Sequence, residues 1–182
     1  MDKFRNSYRI PSTRLANWDY SSHGLYFVTI CTKDKQHYFG DITQVIQQEP
    51  QEIASLRKTD IGNIAHKLWE EIPVHFPFVQ LDEFIVMPNH MHGILFLNRP
   101  EYEQWQPNRF GPQSRNLASV IRGYKVAVKK YATINQIEFG WQSRYYDRVI
   151  RSEKELCNIR NYIFNNPANW QAEKNNPENL FM

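Results

Sequence analysis

Between residues 79 and 98 the chain carries two β-rich runs, Phe84-Ile85-Val86 and Ile94-Leu95-Phe96-Leu97, joined through Met87-Pro88-Asn89-His90-Met91-His92-Gly93. Pro88-Asn89 supplies turn chemistry, so these runs predict antiparallel strands over 79–87 and 90–98. Side chains alternate faces along a strand, and residues two apart lie about 6.5–7 Å from one another on one face. His90 and His92 therefore project together, while Met91 turns to the opposite side.

A hairpin of this kind needs further elements to bury it. Residues 25–32, Leu-Tyr-Phe-Val-Thr-Ile-Cys-Thr, are β-branched and aromatic on both faces, which predicts a strand in the middle of a sheet. Thr59-Asp60 can cap a helix whose Ile61, Ile64, Ala65, Leu68 and Trp69 recur at helical spacing, with Pro73 and Pro77 to stop it. A second helix is expected from 114 to about 134, with Leu117, Val120, Ile121, Tyr124, Ala127, Val128 and Tyr131 as its apolar stripe. Residues 145–150 read as a short strand. Ser152 and Glu155 then form a capping box at the start of a helix that Pro167 terminates. Residues 33–58 are expected as a hairpin or surface insertion, 100–112 as a long loop, and Trp170 as part of a short tail (168–182) that packs back. The order strand, helix, strand, strand, helix, strand, helix is that of a ferredoxin-like α+β domain: one antiparallel sheet with helices mainly on one face.

Composition narrows the function classes. A chain of 182 residues is expected to form one domain, 1–182, led by a polar segment (1–24) that carries Arg5, Arg9 and Arg14. With 41% hydrophobic and 14% aromatic residues, it is not a disordered protein. Its apolar runs fall far short of a membrane span, and the N-terminus lacks the apolar core of a signal peptide, so a cytoplasmic protein without a membrane partner is expected. Cys31 and Cys157 suit neither a disulfide framework nor a zinc-ligand spacing and read as small buried apolar residues. The net charge of +3 is too mild to indicate a nucleic-acid partner by itself; its distribution matters more.

The chemistry is carried by two segments. In the last helix Leu156, Ile159 and Ile163 mark the buried stripe, and Tyr162 and Asn166 fall together on one edge of it, one turn apart. If that edge lies over the face of His90 and His92, a cation there has two imidazoles and the Asn166 carbonyl oxygen as ligands, with Tyr162 beside it. A free phenol has a pKa of about 10, so only roughly one part in a thousand is phenolate at neutral pH. A cation that polarises a phosphate oxygen and orients the phosphorus for in-line attack offsets that weakness. Magnesium, manganese and zinc all remain open on ligand chemistry. Attack by Tyr162 would leave a covalent phosphotyrosine that keeps the energy of the broken phosphodiester and can be passed to another hydroxyl.

Arg122, Lys125, Lys129 and Lys130 lie along one polar face of the preceding helix. Such a face is either simply solvated or, beside phosphodiester chemistry, a set of phosphate contacts. Arg148 and Arg151, with Tyr145 and Tyr146, could add charge and stacking for unpaired bases, although both tyrosines could equally serve packing.

Taken singly, His-X-His and a helical tyrosine are weak signals; their order and separation are specific. Together with Asp19-Tyr20, Phe39-Gly40-Asp41-Ile42, Trp141-Gln142, Tyr146-Asp147 and Tyr162-Ile163 with Asn166-Pro167, they make nearly the whole chain resemble the single-tyrosine HUH transposases of the IS200 type, and within them the REP-associated tyrosine transposases. The resemblance implies a metal-dependent single-stranded DNA endonuclease and strand-transferase. His90 and His92 would be ligands to Mg2+ or Mn2+ and Tyr162 the nucleophile, forming a 5′-phosphotyrosine on DNA hairpins of palindromic repeats. Typical IS200-type members carry Gln four residues after the tyrosine; Asn166 stands there in this chain, as in the repeat-associated branch. Monomer and helix-exchanged homodimer both occur among such proteins. Two competing readings are a non-catalytic DNA-hairpin-binding or domesticated regulatory protein on the same fold, and a phosphodiesterase without a covalent step.

Overall fold

A computed structural model describes residues 3–4, 7–8, 15, 17–45, 53–103, 105 and 114–174. Its centre is a four-stranded antiparallel sheet of β3 (Gly24–Cys31), β6 (Val79–Val86), β7 (His90–Leu97) and β8 (Tyr146–Ile150), in the order β6-β7-β3-β8. Two small hairpins stand apart from it, β1 (Lys3–Phe4) with β2 (Ser7–Tyr8), and β4 (Gly40–Val45) with β5 (Ile53–Lys58). The second is the hairpin expected within 33–58. The helices are α1 (Asp60–Glu70), α2 (Ile72–His75), α3 (Leu117–Ile134) and α4 (Glu153–Lys174). This is the ferredoxin-like arrangement, with β3 central as its apolar composition requires.

Strand parity divides the interior in two. Tyr26, Val28 and Ile30 of β3 and Met91, Leu95 and Leu97 of β7 point to one face, where they meet Ile61, Ala65 and Trp69 of α1 and Leu117, Val120, Ile121, Tyr124 and Val128 of α3. Phe27 and Ile94 point to the other, where Leu156 and Ile163 of α4 cover them together with Ile150. Thus α1 and α3 share one face, and among the described helices α4 is the one that covers the face to which His90 and His92 project. Gly93, on the α1 side, is needed for close packing: a Cβ there would lie 2.4 Å from Cζ2 of Trp69.

The helix starts follow from the sequence. Thr59 caps α1, its side chain accepting from the Gly62 amide at 3.2 Å. Asn116 and Ser119 form a capping box at α3, so that helix begins at Leu117, slightly later than 114. At α4 the Ser152 hydroxyl accepts from the Glu155 amide at 3.2 Å, and the Glu155 carboxylate accepts from the amide of Arg151 at 3.0 Å.

Three expectations fail. Pro73 does not stop a helix; it sits in the first turn of α2, where its missing N–H is not needed. Pro167 does not terminate α4, which continues to Lys174. An interior proline costs about 3 kcal/mol, and burial of Trp170 beyond it, a side chain of about 150–250 Å², offsets that cost. Cys157 is exposed on α4 and Cys31 only half-buried, so neither is a core residue, although burial still raises the Cys31 thiol. Arg5, Arg9 and Arg14, and residues 46–52, 106–113 and 175–182 of the insertion, loop and tail, lie outside the described residues.

Candidate active site on the α4 face of the sheet

Four residues expected from the sequence to act together meet in one place. His90 and His92 stand on β7 with ring centroids 4.5 Å apart, both buried. From α4, the Tyr162 hydroxyl reaches Nε2 of His92 at 3.2 Å, and the Tyr162 ring meets the imidazole edge-on at 5.1 Å. One turn later Asn166, fully buried, brings its side chain to His90.

Each imidazole is oriented from behind. Nδ1 of His90 donates to Oδ1 of Asn89 at 2.7 Å, which leaves the lone pair on Nε2. That Nε2 is buried and makes no hydrogen bond of good geometry among the described residues. Nδ1 of His92 lies 2.8 Å from Oγ1 of Thr29, its cross-strand neighbour, and Phe27 stacks on the His92 ring at 5.4 Å. Burial pushes the His90 pKa down to about 3, against a smaller upward pull from Asn166 and with a further lowering by Lys35; burial, aided by His90, also holds His92 well below its usual value. Both rings are therefore neutral at physiological pH, the state in which imidazole binds metals.

This donor set fits a divalent cation. Among the described residues no three His, Cys, Asp or Glu side chains come together; the polar side chain that stands beside the two imidazoles is Asn166, whose carbonyl oxygen is of a type that binds such cations. Two imidazole nitrogens and one amide oxygen match manganese well and magnesium less well, and leave further coordination positions for substrate oxygens.

Three residues that carried no functional expectation also shape the site. Thr29 and Asn89 hold the imidazoles and could have been found from strand register and from the place of Asn89 beside His90. Trp170 stacks on His90 with centroids 5.8 Å apart and also touches His37 at 5.5 Å. Tyr162, Asn166 and Trp170 share one four-residue spacing, a pattern hidden by reading Pro167 as a helix end.

The basic residues are distributed differently. Arg122, Lys125, Lys129 and Lys130 border a groove of about 820 Å³ with Trp141 and Tyr145, on the α3 side of the sheet and so across it from Tyr162. Two of these lysines are already engaged: Lys125 donates to the carbonyls of Gln142 (2.6 Å) and Arg144 (3.1 Å), and Lys129 to that of Phe139 (2.6 Å). Arg148 pairs with Phe27 in register, on the face of the histidines, and its guanidinium binds Glu155 at 2.5 Å. Arg151 lies over the Trp18 ring at 5.6 Å. Tyr146 packs edge-on against Phe27, and Tyr145 packs against the α1/α3 core.

No family profile matches the chain. It is 38% identical over 173 residues to an uncharacterised protein of Haemophilus influenzae, covering 90% of this chain and 91% of that one. A second H. influenzae protein, provisionally named a REP-associated tyrosine transposase, is 26% identical over 155 residues, or 82% of this chain and 73% of that one. In fold, the chain matches the solved structure of a REP-associated tyrosine transposase bound to a REP hairpin, with a TM-score of 0.56 at 16% identity over 87% of this chain and 73% of that one. The chain is thus similar in sequence to a REP-associated tyrosine transposase and shares the fold of another. In this protein the His-X-His strand and the tyrosine helix meet within one chain. Among the described residues no helix is long and apolar enough to cross a membrane.

Proposed function

We propose that this protein is a tyrosine transposase that cuts and rejoins single-stranded DNA at hairpins of palindromic repeats through a covalent bond to Tyr162. The observation that carries the reading is the contact of the Tyr162 hydroxyl with His92, beside a second buried neutral imidazole whose Nε2 has no hydrogen-bond partner of good geometry among the described residues. His90, His92 and Asn166 would hold a divalent cation, Mn2+ or Mg2+, which when bound supplies Lewis-acid polarisation of a phosphate oxygen.

The chain's own residues do the rest. Phe27 and the α4 stripe exclude water from one side of the phenol, Asn89 fixes the tautomer and orientation of His90, and Thr29 holds the orientation of His92. Tyr162 Oη bonds to phosphorus as the P–O3′ bond breaks. The phenol proton passes to water, and the departing 3′ oxygen takes a proton from water to become a hydroxyl. The product is a 5′-phosphotyrosine, and attack on it by another 3′-hydroxyl reverses the step and joins strands. With all four residues supplied by one chain, the reading takes a monomer as the unit that acts. We assign phosphate contacts to Arg148 beside the site, to Arg151 at the other end of β8, and to Arg122, Lys125, Lys129 and Lys130 on the far face.

The test is incubation of the protein with Mn2+ and single-stranded hairpin DNA. A denaturant-resistant protein–DNA adduct that disappears in Tyr162→Phe supports the reading. Cleavage that persists in Tyr162→Phe points to a hydrolase, and hairpin binding without metal-dependent cleavage points to a regulatory DNA-binding protein.

A further inference from the structure

An apolar stripe lets a helix lie on a sheet but leaves it free to roll about its own axis. On α4 the stripe is Leu156, Ile159 and Ile163. At about 100° per residue, Tyr162 and Asn166 fall on one flank of that stripe and Arg160 on the other. The first flank carries the contact with His92. On the second, Arg160 makes a two-point bond to Asp82 of β6: Nε to Oδ1 at 2.8 Å and Nη2 to Oδ2 at 2.6 Å.

Asp82 is available for this because β6 is irregular there. The register passes from Leu81 opposite Leu95 to Phe84 opposite Gly93, so Asp82 and Glu83 together oppose Ile94. This is a bulge, which re-aims side chains and reverses the alternation of faces beyond it. Leu81 and Phe84, three apart, both pack into the α1/α3 core, and Asp82 turns to α4.

We propose that the bulge-mounted Asp82–Arg160 pair is a positioning device that sets the roll of α4 and thereby keeps Tyr162 against His92; its catalytic consequence rests on the reading of Tyr162 as nucleophile. The lever is long. Cα atoms ride about 2.3 Å from a helix axis and a phenolic oxygen about 9 Å, so a roll of about 10° moves that oxygen by about 1.5 Å. A displacement of that size at a reacting atom costs on the order of 100-fold in rate. The pair is partly exposed, 39% for Arg160 and 19% for Asp82, so its loss leaves the fold standing.

The experiment compares the wild type, Arg160→Gln, and the exchanged pair Asp82→Arg with Arg160→Asp. Two quantities are read: the single-turnover rate of adduct formation on saturating hairpin DNA with Mn2+, and the nuclear Overhauser contact between the Tyr162 and His92 rings in the DNA-free protein. Arg160→Gln is expected to slow the rate about 10- to 100-fold, with hairpin affinity changed less than about 2-fold. It should also weaken the Tyr162–His92 contact while leaving the Phe27–His92 contact intact, and the exchanged pair should recover both losses. A variant whose rate and ring contact equal those of the wild type overturns the proposal, as does a rate loss that merely follows loss of folded protein. If the wild type forms no adduct, the nucleophile reading fails by itself, and the ring contact alone decides whether the pair positions α4.

Discussion

The Tyr162 hydroxyl lies 3.2 Å from Nε2 of His92, although the two residues are 70 positions apart. Two unrelated periodicities produce that contact. A period of two on β7 sends His90 and His92 to the face that α1 and α3 leave uncovered. On α4, Tyr162 and Asn166 are held by helical spacing at the margin of the stripe that packs there.

The residues behind the imidazoles should matter to metal binding almost as much as the ligands do. His90→Ala and His92→Ala are expected to abolish Mn2+ binding in calorimetry, and with it cleavage, while hairpin affinity is largely kept. Asn89→Ala and Thr29→Val should each weaken Mn2+ about 10- to 100-fold, because each frees one ring to turn. Mn2+ affinity unaltered in Asn89→Ala would show that the bond to His90 has no such role.

Stability should fall in mild acid. Burial holds His90 near a pKa of about 3, whereas the unfolded imidazole titrates near 6.5, so between those values the unfolded chain binds a proton that the folded chain does not. The stabilising effect is complete above about pH 6.5 and is lost as the pH falls toward about 3; His92, also lowered by burial, acts in the same direction. The urea midpoint of the metal-free protein should therefore drop between about pH 7.5 and about pH 5, and His90→Asn should lessen the drop. Equal slopes in the two proteins would contradict the assignment.

Gly93 should not tolerate a side chain. Its place beside His92 is set by Trp69, which leaves only 2.4 Å to an added Cβ, so Gly93→Ala is expected to cost about 1–3 kcal/mol in urea unfolding. Ala at this position with wild-type stability would mean that α1 shifts freely on the sheet.

On the basic face of α3 the lysines should separate into two kinds. Lys130, exposed on the groove, should lower the salt dependence of hairpin binding when changed to alanine, by about one unit of slope, without affecting stability. Lys125→Ala with Lys129→Ala should lower stability as well, since their ammonium groups tie the carbonyls of Phe139, Gln142 and Arg144 to the helix. A salt slope identical to that of the wild type in Lys130→Ala would return this face to ordinary solvation.

Much of this arrangement was legible because it rests on local rules. Apolar residues on both faces of 25–32 marked the central strand. Thr59 and Ser152 marked helix starts, and His-X-His marked a shared face. What escaped depends on tertiary gain. Pro167 is a helix stop by local rules, yet α4 passes through it to bury Trp170 against His90. The basic residues of α3 looked adjacent to the site in sequence order, but which face a helix covers is decided by the sheet's topology, and α3 lies on the far side. The bulge at Asp82 was equally invisible, since it shows only as a break in alternation between Leu81 and Phe84.

The most direct measurement is the identity of the linked residue. Tryptic digestion of a protein–DNA adduct should release the peptide 161–174, in which Tyr162 is the only tyrosine. Mass spectrometry is expected to find that peptide carrying the mass of a 5′-phosphorylated nucleotide remnant on Tyr162, and to find it unmodified when the metal is withheld. Linkage at any other residue, or hairpin cleavage that leaves the peptide unmodified throughout the reaction, would contradict the account.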